Sequence, residues 1–259
     1  MKRSRALKFT AVILAIIAAL AAFYVTQGYR AAESAINISV LEAQDIQMSG
    51  EDVLFFGPEE ASETAVVFYP GGKVQYEAYT PLCRELAARG INCALVKMPL
   101  NLAVFKPDAA EAVIDFMSEE LGCSEFYMAG HSLGGVMAAR YALQDRESNG
   151  TGLNESAETG RPLVKGLIFL ASYPDKDLRG SGLRVLSIYG DRDGVLSMDK
   201  YEAALANMPE DFTELVIAGG NHSFFGDYGL QKGDGFPGIT KEEQWAAAAD
   251  AVAEWMQSE

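Results

Sequence analysis

The sequence predicts an α/β fold: a mostly parallel, doubly wound sheet with helices on both faces, formed by a single domain behind an N-terminal membrane segment. Three observations carry this expectation. From about residue 53 onward, short and almost continuously apolar runs alternate with longer segments of helical apolar spacing, and strands without polar alternation need cover on both faces. One such run stops abruptly at Gly130-His131-Ser132-Leu133-Gly134 and restarts as a helix. With 49% hydrophobic residues in a chain of 259, one sizeable core can be buried and no second domain is needed.

Residues 1–29 form the expected targeting segment. Lys2, Arg3, Arg5 and Lys8 precede an apolar run over residues 9–25 in which Thr10 is the polar member. The run is longer than a usual signal-peptide core and just long enough to span a bilayer, so an uncleaved anchor and a cleaved signal both remain open. Either way the basic end stays cytoplasmic and the domain is exported. The formal charge of -15 includes those four basic residues, so the remainder is more acidic still. Such a surface repels nucleic acid and anionic headgroups, so no nucleic acid partner is expected and membrane contact is expected through the N-terminus alone. Cys83, Cys93 and Cys123 are an odd count without metal spacing and are expected as buried thiols in preference to one disulfide. His131 and His222 are the only histidines, too few for a zinc site, and neither a metal nor another cofactor is expected.

Residues 30–52 are expected as a polar tether leading into a domain at 53–259, with Ile36, Ile38, Val40 and Leu41 as a possible edge strand. Strands follow at 53–56 and 65–69, the second ending at Pro70-Gly71-Gly72, then a helix over 76–89 closed by Gly90 and a strand over 93–96. A helix at 109–121, a strand at 126–129 and a helix at 133–144 continue the alternation. Residues 145–161 are polar and glycine-containing and are expected as an exposed excursion; their two glycosylation sequons, at Asn149 and Asn154, are expected to be chance matches. Strands at 164–171 and 184–189, a helix at 198–208, a strand at 213–218 and an alanine-rich helix at 240–256 complete the chain.

In a doubly wound sheet, reactive groups gather on loops at the carboxyl ends of strands. Three such loops present Ser132, Asp193 and His222 in that order. The order, with Gly130-His131-Ser132-Leu133-Gly134, Gly190-Asp191-Arg192-Asp193 and Gly220-Asn221-His222, resembles the α/β-hydrolase family, whose triad runs nucleophile, acid, histidine. The resemblance covers most of the chain from about Val53. It implies a serine hydrolase that cleaves a carboxylic ester or related acyl compound through an acyl-enzyme, with Ser132 as nucleophile, His222 as base and Asp193 as orienting acid. Asp191 competes with Asp193 for the last role, and Asp175 is a lesser candidate. By the same resemblance the oxyanion donors are the backbone amides of Leu133 and Gly72, although this chain has Pro70-Gly71-Gly72 where the family has His-Gly-x. His131 sits beside the serine in a tight turn and is expected to pack rather than react. Thioesterase, lactonase or acyltransferase chemistry fits the same triad, and a non-catalytic scaffold is the alternative of another class.

Two other motifs carry no chemistry. The stretch Gly233-Asp234-Gly235-Phe236-Pro237-Gly238 satisfies G-x-G-x-x-G but follows a loop and has proline where a helix should start, which excludes dinucleotide binding. Gly71-Gly72-Lys73 lacks P-loop spacing. The run 219–238, with Phe224, Phe225, Tyr228 and Phe236, is expected either as a mobile wall over the site or as plain surface.

Overall fold

The apolar runs become strands because two adjacent rows of side chains must both be buried. In a computed structural model that describes residues 9, 10, 12, 13, 28–48, 51–149 and 161–258, eight strands lie in one sheet. They are β1 (Gln44–Met48), β2 (Glu51–Phe56), β3 (Thr64–Tyr69), β4 (Asn92–Val96), β5 (Glu125–His131), β6 (Val164–Leu170), β7 (Arg184–Gly190) and β8 (Phe212–Ile217), in the spatial order β1-β2-β4-β3-β5-β6-β7-β8. β2 runs antiparallel to both β1 and β4, and the remaining neighbours are parallel. In the parallel register Ala94, Val67, Met128, Leu167 and Val185 stand side by side, and the next row is Leu95, Phe68, Ala129, Ile168 and Leu186. The first row packs into the core layer on one face and the second into the layer on the other. Since successive side chains point to opposite faces, a strand covered twice has no polar position to offer, and this is why the sequence shows runs instead of alternation.

The described residues form six α-helices, α1 (Glu33–Leu41), α2 (Thr80–Ala87), α3 (Ala110–Leu121), α4 (Leu133–Asn149), α5 (Met198–Ala204) and α6 (Lys241–Gln257), of which α2, α3, α4 and α6 cover the two faces. Leu82, Cys83 and Leu86 of α2 and Trp245, Ala248 and Val252 of α6 pack on the Phe68 side. Val113, Ile114 and Met117 of α3 and Met137, Ala138 and Ala142 of α4 pack on the Val67 side. Cys83, Cys93 and Cys123 are buried thiols. The helix expected over 76–89 is a 3₁₀ turn, Tyr76–Tyr79, followed by α2, and Gly90 past its end has φ +84°, a backbone that favours glycine.

Helix α6 starts with a reciprocal cap. The Glu243 amide donates to Thr240 Oγ1 at 3.1 Å, and the Thr240 amide donates to Glu243 Oε2 at 2.7 Å. Thr240→Ala should therefore lower unfolding stability by about 1 kcal/mol, read as a shift of the urea midpoint with an unchanged slope.

Two expectations fail. Residues 36–41 lie in α1 and not in an edge strand, and the segment folds onto the domain where a tether was expected. Of its large apolar side chains Val40 and Leu41 are exposed and Ile38 is partly buried against the core, while small Ala35 is buried and its carbonyl accepts from Thr80 Oγ1 at 2.7 Å. The Ala32 amide donates to the Asp227 carbonyl at 2.7 Å, Ser34 Oγ donates to the Asp227 carboxylate, and the Tyr29 amide donates to Lys73 O at 2.8 Å. Tertiary bonds at small residues thus outweigh the β-branched propensity of Ile36, Ile38 and Val40. The excursion expected from residue 145 also begins later. α4 runs to Asn149, and buried Asp145 accepts from the Arg161 guanidinium and from the Val164 amide at 3.0 Å. Residues 150–160, into which both sequons run, are outside the described residues. Most of the apolar N-terminal run is outside them too, and among the described residues no helix is long and apolar enough to cross a membrane.

Candidate functional site

Ser132 directly follows β5 with φ +51°, the left-handed region that a non-glycine residue enters only under constraint. Three hydrogen bonds hold it there. Its amide donates to Leu170 O at 3.0 Å, while its carbonyl accepts from the Gly135 amide at 3.1 Å and from Ser172 Oγ at 2.6 Å. A Cβ at Gly130 would lie 2.4 Å from the Gly134 carbonyl carbon, and one at Gly134 would lie 2.2 Å from Tyr69 O. Both flanking positions therefore have no room for a side chain, and the Gly-x-Ser-x-Gly spacing is a steric requirement of this turn.

Asp193 and His222 meet across two neighbouring loops, after β7 and β8. Asp193 Oδ1 accepts the amides of Val195 at 2.8 Å and Leu196 at 2.7 Å, which fixes the carboxylate; Oδ2 accepts from His222 Nδ1 at 2.8 Å. The two side chains are 1% and 2% exposed. With its proton on Nδ1, the ring presents Nε2 as an acceptor, and Nε2 is buried without a hydrogen-bond partner. Ser132 and His222 line one cleft of about 320 Å³, together with Leu133, Val136, Ala171, Ser172, Tyr173, Val195, Leu196, Ser197 and Lys200. The rival carboxylates are engaged elsewhere. Asp191 is exposed and accepts the Gly219 amide at 2.7 Å. Asp175 pairs with Arg140, whose guanidinium holds the carboxyl below its usual pKa.

The loop after β3 contributes one free amide. Pro70 has no N–H, and the Gly71 amide donates to Tyr79 Oη at 3.0 Å, which leaves that of Gly72 without an acceptor among the described residues. Gly72 packs directly on Leu133: a Cβ there would stand 2.9 Å from Leu133 Cδ2. Leu133 is the first residue of α4, so its amide also has no intrahelical acceptor.

His131 does not join Ser132, Asp193 and His222 around the cleft; it lies behind them. Its Nε2 is 3.1 Å from the His222 carbonyl, which can only accept, so Nε2 carries the proton. Nδ1 then accepts from Tyr79 Oη at 2.8 Å, and Tyr79 Oη in turn accepts from the Gly71 amide. A continuous buried chain thus runs from the glycine loop through Tyr79 and His131 to the backbone of His222. Burial, reinforced by the nearby His222, holds the pKa of His131 well below the ordinary value, so the ring is neutral.

The glycine-rich run 219–238 is a support and not a wall over the cleft. Phe225 and Tyr228 are core residues, and Phe236 alone of its four aromatics is fully exposed. Asp234 anchors the run: it accepts the amides of His222 at 3.2 Å, Ser223 at 2.8 Å and Gly194 at 3.1 Å, tying the histidine loop to the Asp193 loop. No sequence signal pointed to Tyr79 or Ser172, and Asp234 lies inside the glycine motif rejected for dinucleotide binding. Among the described residues no cluster of three or more His, Cys, Asp or Glu could hold a metal ion.

Residues 65–246 match the model of the alpha/beta hydrolase family. The chain belongs to that family. Solved structures share the hydrolase fold at low identity. Est1E from Butyrivibrio proteoclasticus is 16% identical, with a TM-score of 0.59 over 83% of this chain and 99% of that one. Est2, an esterase from Thermogutta terrifontis, is 15% identical, with a TM-score of 0.56 over 83% and 94%. A serine hydrolase homologue from Coxiella burnetii is 14% identical, with a TM-score of 0.54 over 82% and 97%. No curated protein matches the hydrolase chain.

Proposed function

We propose that this hydrolase is a serine esterase acting on small carboxylic esters through an acyl-enzyme. The observation that carries the proposal is the His222 ring, held by Asp193 at 2.8 Å and left with a buried, unpaired Nε2, on a residue that lines the same cleft as Ser132. In this reading Nε2 takes the Ser132 proton as Oγ attacks the acyl carbon, and the same proton then passes to the departing alkoxide. The amides of Leu133 and Gly72 receive the developing oxyanion, with the N-terminus of α4 adding its dipole. Water, deprotonated by His222, resolves the acyl-enzyme. The Thermogutta terrifontis esterase of the same fold has been solved with propionate bound and phosphoramylated by tabun, which agrees with small-acyl chemistry on this scaffold.

A fluorophosphonate probe tests the reading. Wild type should be labelled and Ser132→Ala should not; a folded wild type that resists the probe would refute it. Residues 1–29 belong to the same proposal as an anchor or signal that exports the folded domain. Fractionation checks this: the full chain should sediment with membranes or be recovered outside the cytoplasm, and recovery in the cytosol would count against it.

A further inference from the structure

The cleft wall has a charge pattern unlike the rest of the chain. With 36 acidic and 21 basic residues the molecule is strongly anionic, yet apart from His222 the residues lining the cleft include one charged side chain, the cation Lys200. The other walls are the aliphatic side chains of Leu133, Val136, Val195 and Leu196, the ring of Tyr173, and small residues. Lys200 makes no ion pair among the described residues, whereas Arg140, on α4, is paired with Asp175. It also stands on a fixed element. The neighbouring Tyr201 is buried and its hydroxyl lies 2.9 Å from Ser187 Oγ and 2.7 Å from Glu214 Oε2, pinning α5 to β7 and β8.

We infer that Lys200 makes the cleft selective for esters that carry a carboxylate on the acyl or the alcohol half. This rests on the esterase reading above and names its substrate class. The exposed Lys200 ammonium has no ion-pair partner among the described residues to give up when it receives a carboxylate, and the aliphatic part of the wall, Leu133, Val136, Val195 and Leu196, strengthens that interaction relative to open water. A neutral ester of the same shape fills the same walls and forgoes the ion pair.

The experiment pairs each anion with its neutral isostere and follows acid release by pH-stat. Monomethyl glutarate and its carboxamide place the charge on the acyl half; 4-acetoxybutyrate and its carboxamide place it on the alcohol half. Wild type should favour the carboxylate by about tenfold in kcat/KM in one of the two pairs, the size of one charge-assisted hydrogen bond. Lys200→Met should lose that preference, its carboxylate-to-carboxamide ratio of kcat/KM falling to about one, and Lys200→Glu should reverse it. Equal rates on carboxylate and carboxamide, or a preference that survives in Lys200→Met, would overturn the role of Lys200 and leave the esterase intact. Failure of wild type to turn over any of the four esters would overturn the esterase reading and the selectivity with it.

Discussion

Asp193→Asn should lower kcat by about four orders of magnitude without changing the fold, whereas Asp191→Asn and Asp175→Asn should each stay within about tenfold of wild type. The size follows from how the carboxylate is held. Oδ1 already accepts two amides, from Val195 and Leu196, so the amide oxygen of an asparagine must take that position. The NH₂ group is then forced toward His222 Nδ1, where it can only donate. Nδ1 becomes an acceptor, the ring proton moves to Nε2, and the nitrogen facing the cleft can no longer accept the proton of Ser132. Asp191 and Asp175 hold a loop amide and a surface guanidinium, respectively, and neither touches the ring. Steady-state kinetics on a neutral ester, with thermal melts to confirm folding, separate the three. Turnover within tenfold of wild type in Asp193→Asn would move the acid elsewhere.

The sheet was legible because two-faced burial leaves a one-dimensional trace: rows such as Val67-Met128-Leu167 and Phe68-Ala129-Ile168 can be apolar throughout only if both faces are covered. The serine turn was legible for a steric reason, since Gly130 and Gly134 abut backbone and no side chain fits. Asp193 and His222 were legible as a loop acid and an eligible histidine, but their 2.8 Å contact depends on β7 and β8 being neighbours, which local sequence does not encode. The supports were not legible at all. Tyr79 lies 52 positions before His131, and Ser172 lies 40 after Ser132; each acts through one hydrogen bond formed only once the sheet is assembled. The error at residues 36–41 has the same origin: alternating Ile36, Ile38 and Val40 looks like a strand, while the deciding contacts are made by Ala32, Ser34 and Ala35 with partners far along the chain.

His131→Phe should destabilise the protein by roughly 2–5 kcal/mol near neutral pH and abolish a pH dependence that wild type shows between about pH 6.5 and 5. The ring is replaced without loss of bulk, but the Tyr79 hydroxyl proton loses its acceptor and the His222 carbonyl loses its donor, both in a buried site. The pH dependence has a definite sign. Burial, with His222 second, depresses the folded-state pKa of His131, so the unfolded chain takes up a proton near pH 6.5 that the folded protein refuses. Stability from this residue is complete above that pH and declines as the pH falls below it. Glu125 and Asp175, whose carboxyl pKa values are lowered by Lys165 and Arg140, release their own stability only at more acidic pH, so they do not mask the window. Urea midpoints measured from pH 7.5 down to 5 should therefore converge for wild type and variant. An equal slope in His131→Phe would mean that another group carries the proton and that His131 is not held neutral by the Tyr79 and His222 contacts.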